Sequence, residues 1–253
     1  MPMSPRLLRP RASGAFDPRS IAGLVAWYDM ADASTLFQNS DGTTAAVAAD
    51  DPVGHVRDKS PNARHMTQPT NNARPLLNLS AQNGRSALRF DGTNDFLVNA
   101  NNFLTGSPVS IAMVAQREAN SSVSSVASAG RGGASAPEVT FEATLRNAFL
   151  SPNNDVRVSS GNARRNGGAS LDAGTSPTTF MIVTGGGATN QNSVNAADGV
   201  LLGSLRDAAG NASAFLLNGR IGEVILYSRF LSLSERQALE RYLSVKWGIG
   251  LTP

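Results

Sequence analysis

Short apolar segments with a two-residue period recur along this chain, and turn signals rich in Gly, Asn and Asp separate them. The clearest example is 109–116 (VSIAMVAQ), in which Val, Ile, Met and Ala occupy alternate positions. This period is typical of a half-buried strand, and many short strands joined by such turns indicate a sandwich or a barrel. The segment 24–29 (LVAWYD) predicts the first strand. The segment 220–228 (RIGEVILYS) predicts the last one, with Ile221, Glu223, Ile225 and Tyr227 on one face.

Further strands are predicted between these two. Segments 87–90 and 95–98 flank Asp91-Gly92-Thr93-Asn94, which is a hairpin signal, and Asn218-Gly219 joins 214–217 to the last strand in the same way. The remaining strand candidates are 138–145, 155–159, 178–184 and 199–205. The Gly/Ser/Asn-rich segments 119–137 and 160–177 are expected to be surface loops, and Gly185-Gly186-Gly187 a turn.

One helix is predicted, at the end of the chain. Ser232 and Glu235 form a capping-box pattern, in which the serine oxygen caps the first turn and the glutamate reaches back to the cap N–H. Apolar residues then recur at helical spacing up to Trp247, and Gly248 supplies a stop signal. The pattern predicts a helix over 233–247 that lies on the sandwich.

The bulk composition excludes several classes of protein. The 253 residues suit a single all-β domain, and the absence of cysteine excludes disulfides, zinc–thiolate sites and a thiol nucleophile. The net charge of +3 is too small and too scattered for a nucleic-acid groove. No segment approaches the roughly 18 continuous apolar residues that span a bilayer. We therefore expect no nucleic-acid partner, because of the charge, and no membrane partner, because of the missing apolar segment.

The first twenty residues are rich in proline and arginine. Four prolines disfavour regular structure there, and Arg6, Arg9, Arg11 and Arg19 punctuate the segment. One interpretation is a solvated tail, as termini commonly are. The other is an extended arm whose arginines bind a partner and which becomes ordered on docking.

Two groups of segments resemble the concanavalin-like, laminin-G-like domains common in bacterial and phage proteins. The first is the ending 218–229 (NGRIGEVILYSR) with 242–248 (YLSVKWG), and the second comprises 24–29, 54–60 (GHVRDKS), 83–85 (NGR) and 88–92 (LRFDG). The resemblance covers about residues 21–250 and implies an all-β, two-sheet antiparallel jelly-roll sandwich with one C-terminal helix. We therefore expect an extended arm over 1–20 and one concanavalin-like domain over 21–253 that includes the helix at 233–247.

Related sandwiches hydrolyse glycans, so paired carboxylates need weighing. Glu138 and Glu142 share a face of one predicted strand, but their backbones would lie about 13 Å apart. A retaining pair needs its carboxyls about 5–5.5 Å apart, and an inverting pair about 6.5–9.5 Å. We interpret both as solvated glutamates. His55 and His65 are the only histidines; no carboxylate spacing completes a metal site around them, which favours structural roles.

Calcium is the one cofactor that the sequence leaves open. Asp91, Asn94 and Asp95 cluster in one turn and could offer oxygen ligands, since some laminin-G-like domains bind calcium at the sandwich rim. An Asp-Gly turn explains the same residues without an ion, and we favour that interpretation. No other cofactor or metal is predicted.

The sequence-level hypothesis is a non-catalytic virion structural protein of a bacteriophage, either a capsid decoration protein or a tail or fibre subunit. The resemblance to the phage form, the absence of a signal-peptide pattern, the absence of a catalytic constellation and the arm motivate it. Such a protein would be made in the host cytoplasm, act in the virion, form a homo-oligomer and bind other virion proteins. The alternative is a carbohydrate- or receptor-binding adhesin module with a glycan partner, and the third hypothesis is a glycan hydrolase.

Overall fold

Two antiparallel sheets stack face to face and enclose the apolar faces of the alternating segments. The computed structural model describes residues 16–101, 103–104, 108–118, 123–130, 139–146, 164–168, 179–187, 199–205, 211–212 and 215–252. Within them, Leu88, Ile111 and Val224 from one sheet meet Met66, Leu97 and Leu202 from the other in one buried cluster. The prediction of an all-β, two-sheet antiparallel protein with one C-terminal helix is confirmed.

The first sheet is built around the long last strand. Its described strands are β1 (Leu24–Asp29), β5 (Leu76–Gln82), β6 (Arg85–Asp91), β8 (Val109–Arg117), β11 (Arg164–Arg165), β12 (Met181–Gly187) and β14 (Asn218–Tyr227). They lie in the order β11-β12-β8-β14-β6-β5. Along its other edge, β14 pairs first with β6 and then with β1.

The second sheet contains shorter strands. They are β2 (Leu36–Phe37), β3 (His55–Val56), β4 (Met66–Thr67), β7 (Leu97–Asn99), β9 (Val123–Gly130), β10 (Val139–Arg146) and β13 (Val200–Leu202). Their order is β10-β9-β13-β7-β4-β3-β2. β9 and β11 fall inside segments that the sequence predicts as surface loops, so those two predictions are wrong in part.

Helix α1 (Leu233–Trp247) covers the outer face of the first sheet, so the molecule has three layers there. Leu239, Leu243 and Trp247 are fully buried against Val114 and Ile225 of the sheet. Both halves of the predicted capping box are present, and Gly248 ends the helix in the left-handed conformation at φ 63°. None of the described helices is long and apolar enough to cross a membrane.

Three local predictions differ from the structure: two turns, and the placement of Ile221 and Glu223 on one face of the last strand. Asp91–Asn94 does not join a hairpin, because β6 and β7 belong to different sheets. Asn218 and Gly219 lie inside β14 instead of turning into it. The ladder between β14 and β8 shifts its register between Ile221 and Glu223, and this places Ile221 in the core while Glu223 faces α1.

Candidate functional site

A cavity of about 400 Å³ lies on the outer face of the first sheet, beside the amino end of α1. We call it the Arg164 cavity. The sheet contributes Ser110 of β8, Thr184 and Gly186 of β12, and Arg164 of β11. The loop before the helix and the first helical turns contribute Phe230, Leu231, Leu233 and Arg236.

Strand register explains why the polar groups from the sheet point the same way. Ser110 pairs with Gly186, and Arg164 pairs with Thr184. Directly opposed residues of antiparallel strands project to the same face of the sheet. Ile182, two residues before Thr184, packs in the cluster beneath α1, which identifies this face as the outer one. The cavity therefore continues the surface on which the helix lies.

A buried glutamate behind the cavity holds two of its polar groups. The Glu240 carboxylate accepts hydrogen bonds from the Thr184 hydroxyl at 2.6 Å and from the Arg236 guanidinium at 2.6 Å. The residue is only 2% exposed. Since Glu240 and Arg236 are one helical turn apart, the helix fixes their pairing, and the hydroxyl of Thr184 ties that pair to β12. These contacts connect Arg236 and Thr184 of the cavity wall through one buried carboxylate.

Phe230 provides an apolar surface at the cavity, with 51% of the residue exposed. Its ring lies on β12 because residue 186 has no side chain. A Cβ there would stand 2.9 Å from Cδ1 of Phe230 and 3.0 Å from Oγ of Ser110. The predicted turn at Gly185-Gly186-Gly187 is wrong, since all three residues belong to β12. The glycine instead lets an aromatic ring approach the sheet closely.

A second polar cluster, the acid–lysine network, joins α1 to β1 and β14. It consists of Asp29, Asp32, Lys59, Glu223 and Lys246. Lys246 contacts the carboxylates of Asp29 at 2.6 Å and Glu223 at 2.7 Å, and Lys59 contacts those of Asp29 at 2.8 Å and Asp32 at 2.7 Å. The network thus alternates acids and lysines from one end to the other.

Glu223 is the most deeply buried member of this network, with no exposed surface. It accepts hydrogen bonds from the indole N–H groups of Trp27 at 2.8 Å and Trp247 at 2.9 Å, and from the Tyr242 hydroxyl at 2.9 Å. Burial raises the pKa of Glu223, and nearby Asp29 raises it further, whereas Lys246 opposes the shift. Burial likewise raises the pKa of Tyr242.

The network brings two carboxylates together but does not form a cleft. Asp29 and Glu223 share the Lys246 ammonium, at 2.6 Å and 2.7 Å from it. The lysine nitrogen occupies the space between them, and both acids are buried. We interpret the network as the polar attachment of α1 to the sheet.

The two histidines contact each other but gather no metal ligands. Their ring centroids are 5.3 Å apart. His55 Nδ1 lies 3.2 Å from the Ser40 carbonyl oxygen, while His65 Nδ1 accepts the Asp58 N–H at 3.0 Å. Within the described ranges, no group of three or more His, Cys, Asp and Glu residues could hold a metal ion.

The calcium candidates form a compact turn. Asp91 Oδ1 accepts the N–H groups of Thr93 at 2.7 Å and Asn94 at 3.3 Å, and Asp95 Oδ2 accepts the Asp91 N–H at 3.0 Å. Burial raises the pKa of Asp95 to about 6. The turn's own N–H groups therefore bind one oxygen of each carboxylate, and calcium binding here, which the sequence leaves open, is untested.

The remaining candidate residues are separated from the Arg164 cavity or lie outside the described residues. Arg6, Arg9, Arg11 and Glu138 lie outside them. Arg19 forms an ion pair with Asp17 at 2.7 Å. Glu142 is in β10 of the second sheet, where it pairs with Ser128.

No protein-family model and no curated protein sequence matches the chain. Solved structures do. A GH54 α-L-arabinofuranosidase soaked with a cyclic sulfate inhibitor has a TM-score of 0.57 and 14% identity, over 92% of this chain and 66% of that one. Trypanosoma rangeli sialidase in complex with sialic acid has a TM-score of 0.41 and 15% identity, over 92% of this chain and 34% of that one.

These likenesses correct two sequence-level expectations. A solved glycosidase shares this architecture, and this finding contradicts both the expectation of a non-catalytic bacteriophage virion protein and the expectation that the chain is not an enzyme. At 14% identity, the likeness to the arabinofuranosidase establishes the shared β-sandwich fold. The chain spans just under two thirds of that enzyme and about one third of the sialidase.

Proposed function

We propose that this protein is a glycoside hydrolase and that a sugar of its substrate binds in the Arg164 cavity. The main observation in support is that 92% of the chain follows the fold of an α-L-arabinofuranosidase. A shared fold hosts many activities, so the proposal also depends on the chemistry of the cavity. The same proposal includes the finer identity of the sandwich as a concanavalin-like, laminin-G-like jelly roll.

The cavity has the composition that a sugar ring requires. Its volume of about 400 Å³ falls in the range of small-molecule sites, which are concave and combine apolar surface with a few polar groups that fix orientation. The exposed face of Phe230 can pack on the C–H face of a sugar. The guanidinium of Arg164 can bind its hydroxyls, while the buried side chains of Ser110 and Thr184 line the cavity.

A glycosidase normally needs two carboxyl groups at the scissile bond. Glu240 is a carboxylate that contacts two groups of the cavity wall, Thr184 and Arg236. We assign it a positioning role: it holds the wall in the geometry that binds the sugar. The buried pair of Asp29 and Glu223 has no part in this proposal, because Lys246 separates the two acids.

The test is hydrolysis of a panel of p-nitrophenyl glycosides, beginning with the α-L-arabinofuranoside, together with calorimetric binding of the matching methyl glycosides. We expect turnover of at least one aryl glycoside. Phe230→Ala should weaken binding of the cognate sugar about tenfold through loss of ring contact. Leu79→Ala is the control and should keep full activity. Leu79 lies at an exposed position in β5, far in the sequence from the residues that line the cavity.

Two results would count against the proposal. Sugar binding without turnover of any glycoside would show a binding protein and not a hydrolase. Turnover that Phe230→Ala leaves unchanged would place the active site elsewhere on the sandwich.

A further inference from the structure

We infer that the Arg164 cavity selects a sugar that carries a carboxylate, such as a hexuronic acid, and that Arg164 binds that carboxylate. This inference rests on the proposed function, since it names the substrate class of the same site. Two observations support it: the charge balance of the cavity, and the position of one arginine on the outer face of the first sheet.

Among the described residues, the charge balance at the cavity leaves one arginine without a counter-charge. Two arginines and no acid line the cavity among the described residues. Arg236 is neutralised, because it forms an ion pair with Glu240 at 2.6 Å. Arg164 forms no ion pair within the described part of the chain; its Nη1 donates to the Gly168 carbonyl oxygen at 3.0 Å. The remaining N–H donors of its guanidinium can bind an anion.

The surroundings of Arg164 strengthen such an interaction. The side chain is half-buried, and its partner across the ladder is the fully enclosed Thr184. An arginine that is partly withdrawn from water binds an oxyanion more strongly than an exposed one, and its planar fork matches the two oxygens of a carboxylate. The start of α1 adds little, because Glu235 already occupies its capping box.

A sugar acid fits better than a simple anion because the cavity is not purely polar. Phe230 presents a half-exposed ring at the same cavity, which offers apolar contact to a pyranose ring while Arg164 binds its carboxylate. A phosphate or sulfate ion would use the guanidinium alone. The ring and the cation together therefore predict recognition of both parts of a uronic acid.

The test is isothermal titration calorimetry on the full chain with matched pairs of ligands. The pairs are methyl β-D-glucuronide with methyl β-D-glucoside, and methyl α-D-galacturonide with methyl α-D-galactoside. At least one uronide should bind about tenfold or more tightly than its neutral partner, as expected for a charge-assisted bidentate contact. Raising the salt concentration should reduce that difference and leave neutral-sugar binding unchanged.

Three variants identify the residue responsible. Arg164→Gln should abolish the preference for the uronide, and Arg164→Lys should restore only part of it, because an ammonium lacks the bidentate fork. Arg165→Gln is the matched control: it removes the same charge from the same strand, but its partner Val183 faces the core side of the sheet. That variant should keep the preference. Thermal unfolding confirms that each variant is folded.

The outcomes separate this inference from the proposed function. Equal or weaker binding of uronides, with neutral sugars still dependent on Phe230, overturns the acidic-sugar inference and leaves the sugar site intact. Binding of neither class of sugar removes the sugar site itself. If inorganic phosphate competes as strongly as the uronides and Phe230→Ala has no effect, the cavity is a general anion site and the inference is also overturned.

Discussion

Replacing Glu223 with glutamine is the most informative perturbation of this structure. The carboxylate accepts three hydrogen bonds, from Trp27, Tyr242 and Trp247, forms an ion pair with Lys246, and has no exposed surface. Glutamine has the same shape but keeps one acceptor oxygen and replaces the other with an NH₂ group. With the amide oxygen towards Trp27 and Tyr242, the NH₂ group meets the two donors on the opposite side.

The magnitude follows from that mismatch. Removing one partner of a buried ion pair costs about 3–5 kcal/mol, because the other charge stays buried without compensation. Lys246 keeps Asp29 as a second partner at 2.6 Å, which limits the loss. We therefore expect Glu223→Gln to lower the free energy of unfolding by about 3 kcal/mol. That is a large part of the roughly 5–15 kcal/mol available to a native protein.

The assay is equilibrium unfolding in urea followed by tryptophan fluorescence. Both tryptophans of the chain contact Glu223, so the native signal reports directly on the network. The midpoint should fall at an unchanged m-value. Glu118→Gln is the matched control: the Glu118 side chain is 41% exposed and pairs with Arg220 at the surface, so its loss should cost at most about 1 kcal/mol. A loss for Glu223→Gln no larger than that of the control would refute the assignment of the network as the attachment of α1.

Three further predictions concern a carboxyl group, the helix cap and the cavity glycine. The pKa of Asp95 is raised to about 6 in the folded protein. The contribution of Asp95 to stability is therefore complete below the unfolded pKa near 3.8 and is lost as the pH rises through 6. The melting temperature of Asp95→Asn, measured from pH 4 to 7, should not show this loss. Ser232→Ala removes the side chain that caps the Glu235 N–H and should cost about 1 kcal/mol in urea unfolding, whereas Ser232→Asp should retain the stability. Gly186→Ala should displace Phe230, because the new Cβ would stand 2.9 Å from its ring, and weaken sugar binding in calorimetry about as much as Phe230→Ala does.

Features with purely local causes could be predicted from the sequence. The helix begins and ends at the predicted residues because the capping box and Gly248 act within one turn of chain. Trp247, the last residue of the apolar pattern that predicts a helix on the sandwich, is fully buried, and Trp27 of the predicted first strand is 5% exposed. Their common partner Glu223 is predicted to share a face with apolar residues. Its role as acceptor for both indole N–H groups depends on contact between β1 and α1, and the hydrophobic period of the sequence does not show that contact.

Features that depend on two distant segments could not be predicted. Gly222 lies where the ladder between β14 and β8 shifts, and a Cβ there would stand 2.6 Å from the Trp247 ring. The register shift therefore occurs where the helix approaches the sheet closely, and it places Ile221 on the core face of the sheet. The Ser- and Ala-rich strand β9 has two β-branched residues among eight, a weak strand signal; it pairs with β10 and β13.

The Arg164 cavity was missed for the same reason. Its groups come from β8, β11, β12, the loop before α1 and the first turns of α1, and no single motif in the linear sequence contains them. The one available signal is the helical spacing of Arg236 and Glu240 within the predicted helix. That spacing indicates an ion pair but says nothing about the sheet residue, Thr184, that completes it.

The helix therefore has two tasks on one face of the sheet. Near its carboxyl end, Tyr242, Lys246 and Trp247 bind the buried Glu223. Near its amino end, Arg236 lines the cavity and is paired with Glu240 behind it. If the network fixes how the helix sits, Glu223→Gln should weaken sugar binding without touching the cavity, and the deficit should shrink as temperature is lowered and the helix docks more fully. Glu240→Gln removes the partner that holds Thr184 and Arg236 in the wall, so its binding defect should persist at every temperature at which the protein is folded. Equal temperature dependence in the two variants would show that the network and the cavity are not linked through α1.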